Sequence, residues 1–201
     1  MAKILINFAH PALEKSRMHK QLLAMIKGMQ GITLNDLYEQ YPDLDIDVNR
    51  EQKLLEQHDV ILLQHPFYWY SAPAIIKQWM DLVLEHGWAY GHTGKALKGK
   101  YLSNVISAGG PESGYNAAGH HRFTIHQFLA PFIQTAALCN MPYAAPYVIY
   151  GVHRMDNIDI KKEAQQFRQV LEHLRDGHID LSALPQLTYM NQILQLPSQT
   201  Q

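Results

Sequence analysis

Three short segments concentrate the groups of this chain that can bind or react. In HPALEKSRMH, residues 10–19, an apolar run stops at a histidine and a proline and a helical pattern begins a few residues later. Ser16, Arg17 and the first free N–H groups of that helix could hold a phosphate, with His10 as a further donor. Ser16 is equally well read as a plain helix N-cap, and these residues alone leave both readings open. In QHPFYWYSAP, residues 64–73, four aromatics follow a strand-like run. Aromatic faces alternating with backbone amides suit a flat ring that needs stacking and polar recognition at its edge. An aromatic core or subunit contact is the alternative, and the position at a strand end favours a ligand. In SAGGPESGYNAAGHH, residues 107–121, Gly109 and Gly110 let backbone approach a bound molecule closely. Tyr115 and His121 could bring a phenol and an imidazole to that same molecule.

The elements around these segments alternate between strand and helix. Ile4–Ala9, Ile32–Tyr38, Asp59–Pro66, residues 101–110 and residues 146–152 read as strands. Asp59–Pro66 is uninterrupted enough to lie centrally in a parallel sheet. Helical spacing covers residues 16–26, 49–57, a stretch opened by Pro73 and closed by Gly87, about 121–139 with a bend near Pro131, and about 159–176. Such alternation predicts an open parallel sheet covered on both faces, with ligands beyond the carboxyl ends of the strands. The domain is expected to span 1–180. The proline- and glutamine-containing tail, 181–201, would pack on the domain or on a partner subunit.

Composition removes several function classes. At 201 residues the chain is one full-sized domain, and a net charge of -1 without long charge runs gives no footprint for nucleic acid. The single cysteine, Cys139, rules out an internal disulfide framework and a cysteine-based metal cluster. No signal peptide or bilayer-length apolar run is visible, so the protein is expected to be soluble and intracellular. GKALKGKY, from Gly94, nearly spells a triphosphate-binding loop, but Tyr101 stands at the Ser/Thr position and the segment precedes a strand. There is no GxGxxG, and the histidines lack metal-binding spacing, so no metal site is expected. Asp81 and Glu85 lie on a solvent-facing helix side, and Ser113 sits in ESG, not GxSxG.

HPxxxxS at 10–16, QHPFYWYSAPAIIKQWMDLVLEHGWAYG at 64–91, ALKGK at 96–100 and the SAGG…Y…GHH loop occur in one order and spacing. Over roughly residues 3–176 the chain resembles the flavodoxin-like NAD(P)H:quinone oxidoreductases, most closely their bacterial branch of ancillary proteins to glutathione-regulated potassium efflux systems. The resemblance implies an α/β three-layer sandwich with a five-stranded parallel sheet, order 2-1-3-4-5, working as a cytoplasmic homodimer with sites near the subunit interface. It implies a flavin, FMN before FAD, whose phosphate sits against His10, Ser16, Arg17, Met18 and His19. The flavin ring would lie against Pro66, Phe67, Tyr68, Trp69 and Tyr70 on one side and Ser107, Ala108, Gly109 and Gly110 on the other. Tyr115 and His121 match the tyrosine and histidine that flank the reducible substrate. The family usually carries Asn where this chain has His19, a bulkier group that ordinarily titrates near neutrality.

The implied activity is transfer of two electrons from NADH or NADPH to quinones or similar electrophiles by a ping-pong mechanism. The alternative is a regulatory subunit that contacts a potassium efflux transporter at the inner face of the cell membrane, with or without turnover. A one-electron carrier would be expected to be strongly acidic, which this chain is not. A domain that has lost its cofactor would rest on His19 alone.

Overall fold

The structure, a computed structural model, describes residues 1–196. Five parallel strands, β1 (Ile4–Phe8), β2 (Ile32–Asp36), β3 (Val60–Pro66), β4 (Tyr101–Ser107) and β5 (Tyr147–Ile149), form one sheet in the order β2-β1-β3-β4-β5. β3 is central and buried along its whole length. Its unbroken apolar centre can be sheathed on both faces, as a parallel sheet requires.

Successive residues of each strand feed opposite cores. Leu5, Ile61, Leu63 and Ile106 face α2 (Leu37–Gln40), α3 (Val48–Glu56), α4 (Ala74–Val83) and α6 (Ala130–Leu138). Ile4, Ile6, Val60, Leu62 and Val105 face α1 (Arg17–Ile26) and α7 (Asn157–Asp176). Period-two alternation inside continuous apolar runs thus builds a three-layer sandwich.

Several boundaries move from their sequence expectation. α4 ends at Val83, capped at Leu84, and Gly87 with φ +86° instead turns the following loop, where its N–H bonds the carbonyl of Tyr90. The helix expected from 121 begins at 125 as α5 (Ile125–Phe128), and α6 follows as a separate helix. Pro131 lies in the first turn of α6, where a missing N–H removes no helix bond. Residues 115–124 are therefore loop, which keeps His121 out of regular structure. After α7, residues Leu181–Gln186 and Met190–Gln195 form two 3-10 helices, with Leu184, Met190 and Ile193 buried. The rest of the tail, 197–201, lies outside the described residues.

Away from the strand ends, a polar knot ties α3 to α4 and to β2. Glu51 is wholly buried and accepts from Asn35 Nδ2 at 2.8 Å, Tyr41 Oη at 2.7 Å and Trp79 Nε1 at 2.8 Å, and it pairs with Arg50. A buried carboxylate persists because donors saturate it.

Candidate active site

Register decides which loops meet. Pro66 pairs with Ser107 across β3 and β4, and Phe8 pairs with Gln64 across β1 and β3, so the three carboxyl ends open on one side. Cross-loop hydrogen bonds fix them: Phe67 N to Ser107 O at 2.9 Å, Ala108 N to Ile149 O at 2.8 Å, and Gly151 N to Gly110 O at 2.9 Å. The cleft between them is lined by His10, Ser16, Arg17 and Met18 at one end and by Pro66, Phe67, Tyr68, Ser107 and Gly109 along its walls.

At the polar end Ser16 is the N-cap of α1, its Oγ accepting the His19 N–H at 3.1 Å. The N–H groups of Arg17 and Met18 head the helix beyond that cap, where no intrahelical acceptor exists. The cap reading of Ser16 is thus observed, and its position beside free helix N–H groups is compatible with an anion there as well. His10 Nδ1 accepts the Ala12 N–H at 3.1 Å, which leaves the proton of its neutral ring on Nε2 as a donor. Burial lowers the His10 pKa, against an opposing pull from Glu14. The guanidinium of Arg17 is turned away, donating to Met155 O at 3.1 Å and Asn157 Oδ1 at 2.9 Å. Arg17 therefore staples α1 to the start of α7 and offers the cleft its backbone and stem. Met18 likewise buries its side chain in the core.

His19 does not behave as a surface imidazole. It is 1% exposed, with Nε2 2.9 Å from Ser107 Oγ and Nδ1 3.4 Å from Gln64 Nε2. Burial first, then the neighbouring His10 and His65, pushes its pKa down to about 3. The expectation of titration near neutrality is corrected: inside the sheet sandwich this ring stays neutral and cross-links α1 to β4. His65 is similarly neutral, with burial holding its pKa to about 4, and it bonds Asn104 and the Pro66 carbonyl beneath the aromatic turn.

That turn is strained. Trp69 and Tyr70 have φ of +50° and +62°, and Ser71 N bonds Tyr68 O at 3.0 Å, a tight turn with two left-handed non-glycine residues. Phe67 packs inward against Tyr70, Tyr115 and Phe128, and Tyr70 stacks on Phe128 at 4.8 Å. Trp69 faces the other way. The left-handed bend turns it outward at 93% exposure, so within one chain its indole does not wall the cleft.

The glycine loop supplies close approach. A Cβ on Gly109 would meet the His153 ring at 2.7 Å, and one on Gly110 would meet His121 Nε2 at 2.9 Å. Ala108 is fully buried and contributes backbone. Tyr115 and His121 stack at 4.1 Å between ring centroids, and His121 Nδ1 is buried without a partner among the described residues. Burial first, then Tyr70, raises the Tyr115 phenol above its usual pKa, with the Gly110 backbone pulling the other way. This phenol and imidazole stack beside Phe67, which does line the cleft.

Sequence reading missed Lys15, Val152 and His153, which also line the cleft, and Tyr150 and Phe128, which back the Tyr115–His121 pair. The signal for Val152 and His153 was available, since YGVHR follows the fifth strand as the other three segments follow theirs.

The residues fit a flavin mononucleotide. Helix N–H groups, Ser16 and His10 match a phosphate, and the aromatic turn facing the Gly109–Gly110 backbone matches a flat ring with a polar edge.

Comparison with known proteins gives the same architecture. The model of a family described by its flavodoxin-like fold matches residues 2–173. The glutathione-regulated potassium-efflux system ancillary protein KefG of Yersinia enterocolitica is 41% identical over 170 residues, 85% of this chain and 92% of that one. General stress protein 14 of Treponema denticola, solved in complex with FMN, superposes with a TM-score of 0.80 at 37% identity, covering 86% of this chain and 99% of the other. An NADPH-quinone reductase from P. pentosaceus gives a TM-score of 0.75 at 34% identity, covering 83% and 96%. Fold, strand-end motifs and relatives agree that the chain belongs to the flavodoxin-like NAD(P)H quinone reductase family.

Proposed function

We propose that this protein is an FMN-dependent oxidoreductase that carries two electrons from NADH or NADPH to quinones or related electrophiles. The observation that carries the reading is one cleft in which a helix start with free N–H groups meets an aromatic wall, whose Phe67 packs at 6.1 Å on Tyr115 of the stacked Tyr115–His121 pair. The FMN bound by a relative 37% identical to this chain supports FMN over FAD. When bound, the flavin supplies hydride transfer.

The chain's own residues would do the rest. Ser16, His10 and the N–H groups of Arg17 and Met18 hold the phosphate. Phe67, Tyr68 and the Ser107–Gly110 backbone orient the ring for close transfer. The Tyr115 hydroxyl donates a hydrogen bond or proton to the acceptor oxygen as negative charge grows there, and the His121 imidazole stacked on the same ring supplies a second polar group beside it. A single cleft serving the nicotinamide and the quinone in turn predicts ping-pong kinetics. The exposed Trp69 and Phe123, at 93% and 52%, suit a homodimer that covers the mouth of the cleft.

A second reading is favoured by the likeness to KefG. The protein would contact a potassium efflux transporter from the cytoplasmic side, and among the described residues no helix is long and apolar enough to cross a membrane.

The purified protein should be yellow, release FMN on denaturation, and bleach with NAD(P)H without oxygen; benzoquinone should restore the colour. A flavin-free protein that takes up neither FMN nor FAD overturns the enzyme reading. Transporter activation by a flavin-loaded, turnover-dead variant would favour the regulatory one.

A further inference from the structure

The family match ends at residue 173, yet the chain builds a strap beyond it from the 3-10 helices Leu181–Gln186 and Met190–Gln195. β5 is an edge strand, and the strap closes it. Ala145 N bonds Leu184 O at 3.2 Å and Met190 N bonds Pro146 O at 2.9 Å. The Asn191 amide accepts from Val148 N at 3.0 Å and donates to Val148 O at 3.1 Å, imitating one residue of a sixth strand. Met190 and Ile193 fasten the segment into the α7 core.

Edge protection accounts for Asn191, Met190 and Ile193 but not for Thr188 and Tyr189. Thr188 O accepts from His126 Nε2 at 2.9 Å, and the Tyr189 ring packs on His126 at 5.3 Å. Tyr189 Oη accepts from Tyr150 Oη at 2.9 Å. Tyr150 in turn lies 5.6 Å from the Tyr115 ring. His126 belongs to the short helix α5, whose Phe128 packs on Tyr70 and Tyr115. Both supports of the Tyr115–His121 pair are therefore gripped by adjacent residues of the strap. Burial, reinforced by the bond to Tyr189, raises the Tyr150 pKa and keeps that phenol protonated as the donor.

We propose that the C-terminal strap is a positioning element of the electron-acceptor wall, with Tyr189 the positioning residue that fixes Tyr150 and α5 and thereby Tyr115 and His121. The proposal rests on reading Tyr115–His121 as the acceptor side.

The test compares flavin-loaded wild type with Tyr189→Phe, which keeps the ring and removes the hydroxyl. Leu55→Ala, in α3 within the opposite core, serves as a general destabilisation control. Amide exchange over residues 112–128 should quicken about threefold to tenfold in Tyr189→Phe, the range expected for one lost hydrogen bond. The KM for benzoquinone should rise by a similar factor, while the rate of flavin bleaching by NAD(P)H is unchanged. Leu55→Ala should lower Tm without moving either quantity. Wild-type exchange over 112–128 in Tyr189→Phe overturns the proposal and leaves the strap as an edge cover. The exchange result decides the strap's hold on the wall by itself. Absence of quinone turnover in wild type would instead sink the functional reading.

Discussion

His19 Nε2 lies 2.9 Å from Ser107 Oγ, joining the helix that begins the anion corner to the strand that carries the glycine loop. In the unfolded chain an imidazole titrates near 6.5, whereas burial holds this one to about 3. Between those values only the unfolded chain takes the proton. Stability is therefore full above about pH 6.5 and falls as pH drops toward 3, by about 2 kcal/mol at pH 5 from this residue. Urea midpoints at pH 7 and pH 5 should show that loss in wild type and a smaller one in His19→Asn. Equal losses in both proteins would remove His19 as the cause.

Ser16→Ala deletes the cap hydroxyl that accepts from the His19 N–H and should cost about 1 kcal/mol of stability. It should also weaken FMN binding, read by calorimetry on apoprotein, because the corner loses a hydroxyl beside the phosphate. A change in stability with unaltered FMN affinity would leave Ser16 a cap only.

Tyr115→Phe removes the hydroxyl and keeps the ring against His121. Quinone reduction should fall by about 10²-fold, with flavin content and bleaching by NAD(P)H preserved. Stopped-flow measurement of the two half-reactions separates these effects, and equal reoxidation rates would exclude the role.

The left-handed backbone at Trp69, φ +50°, stores strain beside the cleft. Trp69→Asn should stabilise the isolated chain by about 0.5–1 kcal/mol, since asparagine accepts this conformation more readily. If the indole seals a subunit interface, sedimentation of the same variant should show more monomer. A lower Tm with unchanged assembly would contradict both expectations.

Glu51→Gln tests the knot away from the cleft. Its carboxylate receives Asn35, Tyr41 and Trp79 together, and an amide would turn a donor toward donors. Denaturation should show a loss of about 2–4 kcal/mol, with FMN affinity of the folded protein unchanged.

Much of this molecule is written locally. The continuous apolar run of β3, the capping serine at 16 and the glycine pair at 109–110 each have a short-range physical cause, so strand count, the start of α1 and the three strand-end segments could be read along the chain. The strand order 2-1-3-4-5 is not carried by local pattern and is implied by the family resemblance alone. Local pattern failed at chain reversals. Gly87 looks like a helix stop in sequence, but the helix ends three residues earlier at a cap set by packing.

Side-chain fate was the part that sequence left open. A histidine at 19 carries no mark of whether it faces water or the sheet, and only burial between α1 and β4 makes it neutral. Arg17 reads as a phosphate ligand in sequence, while its guanidinium is a staple to α7 by geometry. Trp69 belongs to the aromatic run by spelling and to the outer surface by its backbone angle. The bond from Tyr150 to Tyr189 joins residues 39 apart in the chain. Periodicity and capping act over a few residues, so sequence determined the elements. Desolvation, charge coupling and side-chain partners depend on segments distant in the chain, so the tertiary structure alone decided what each reactive group became.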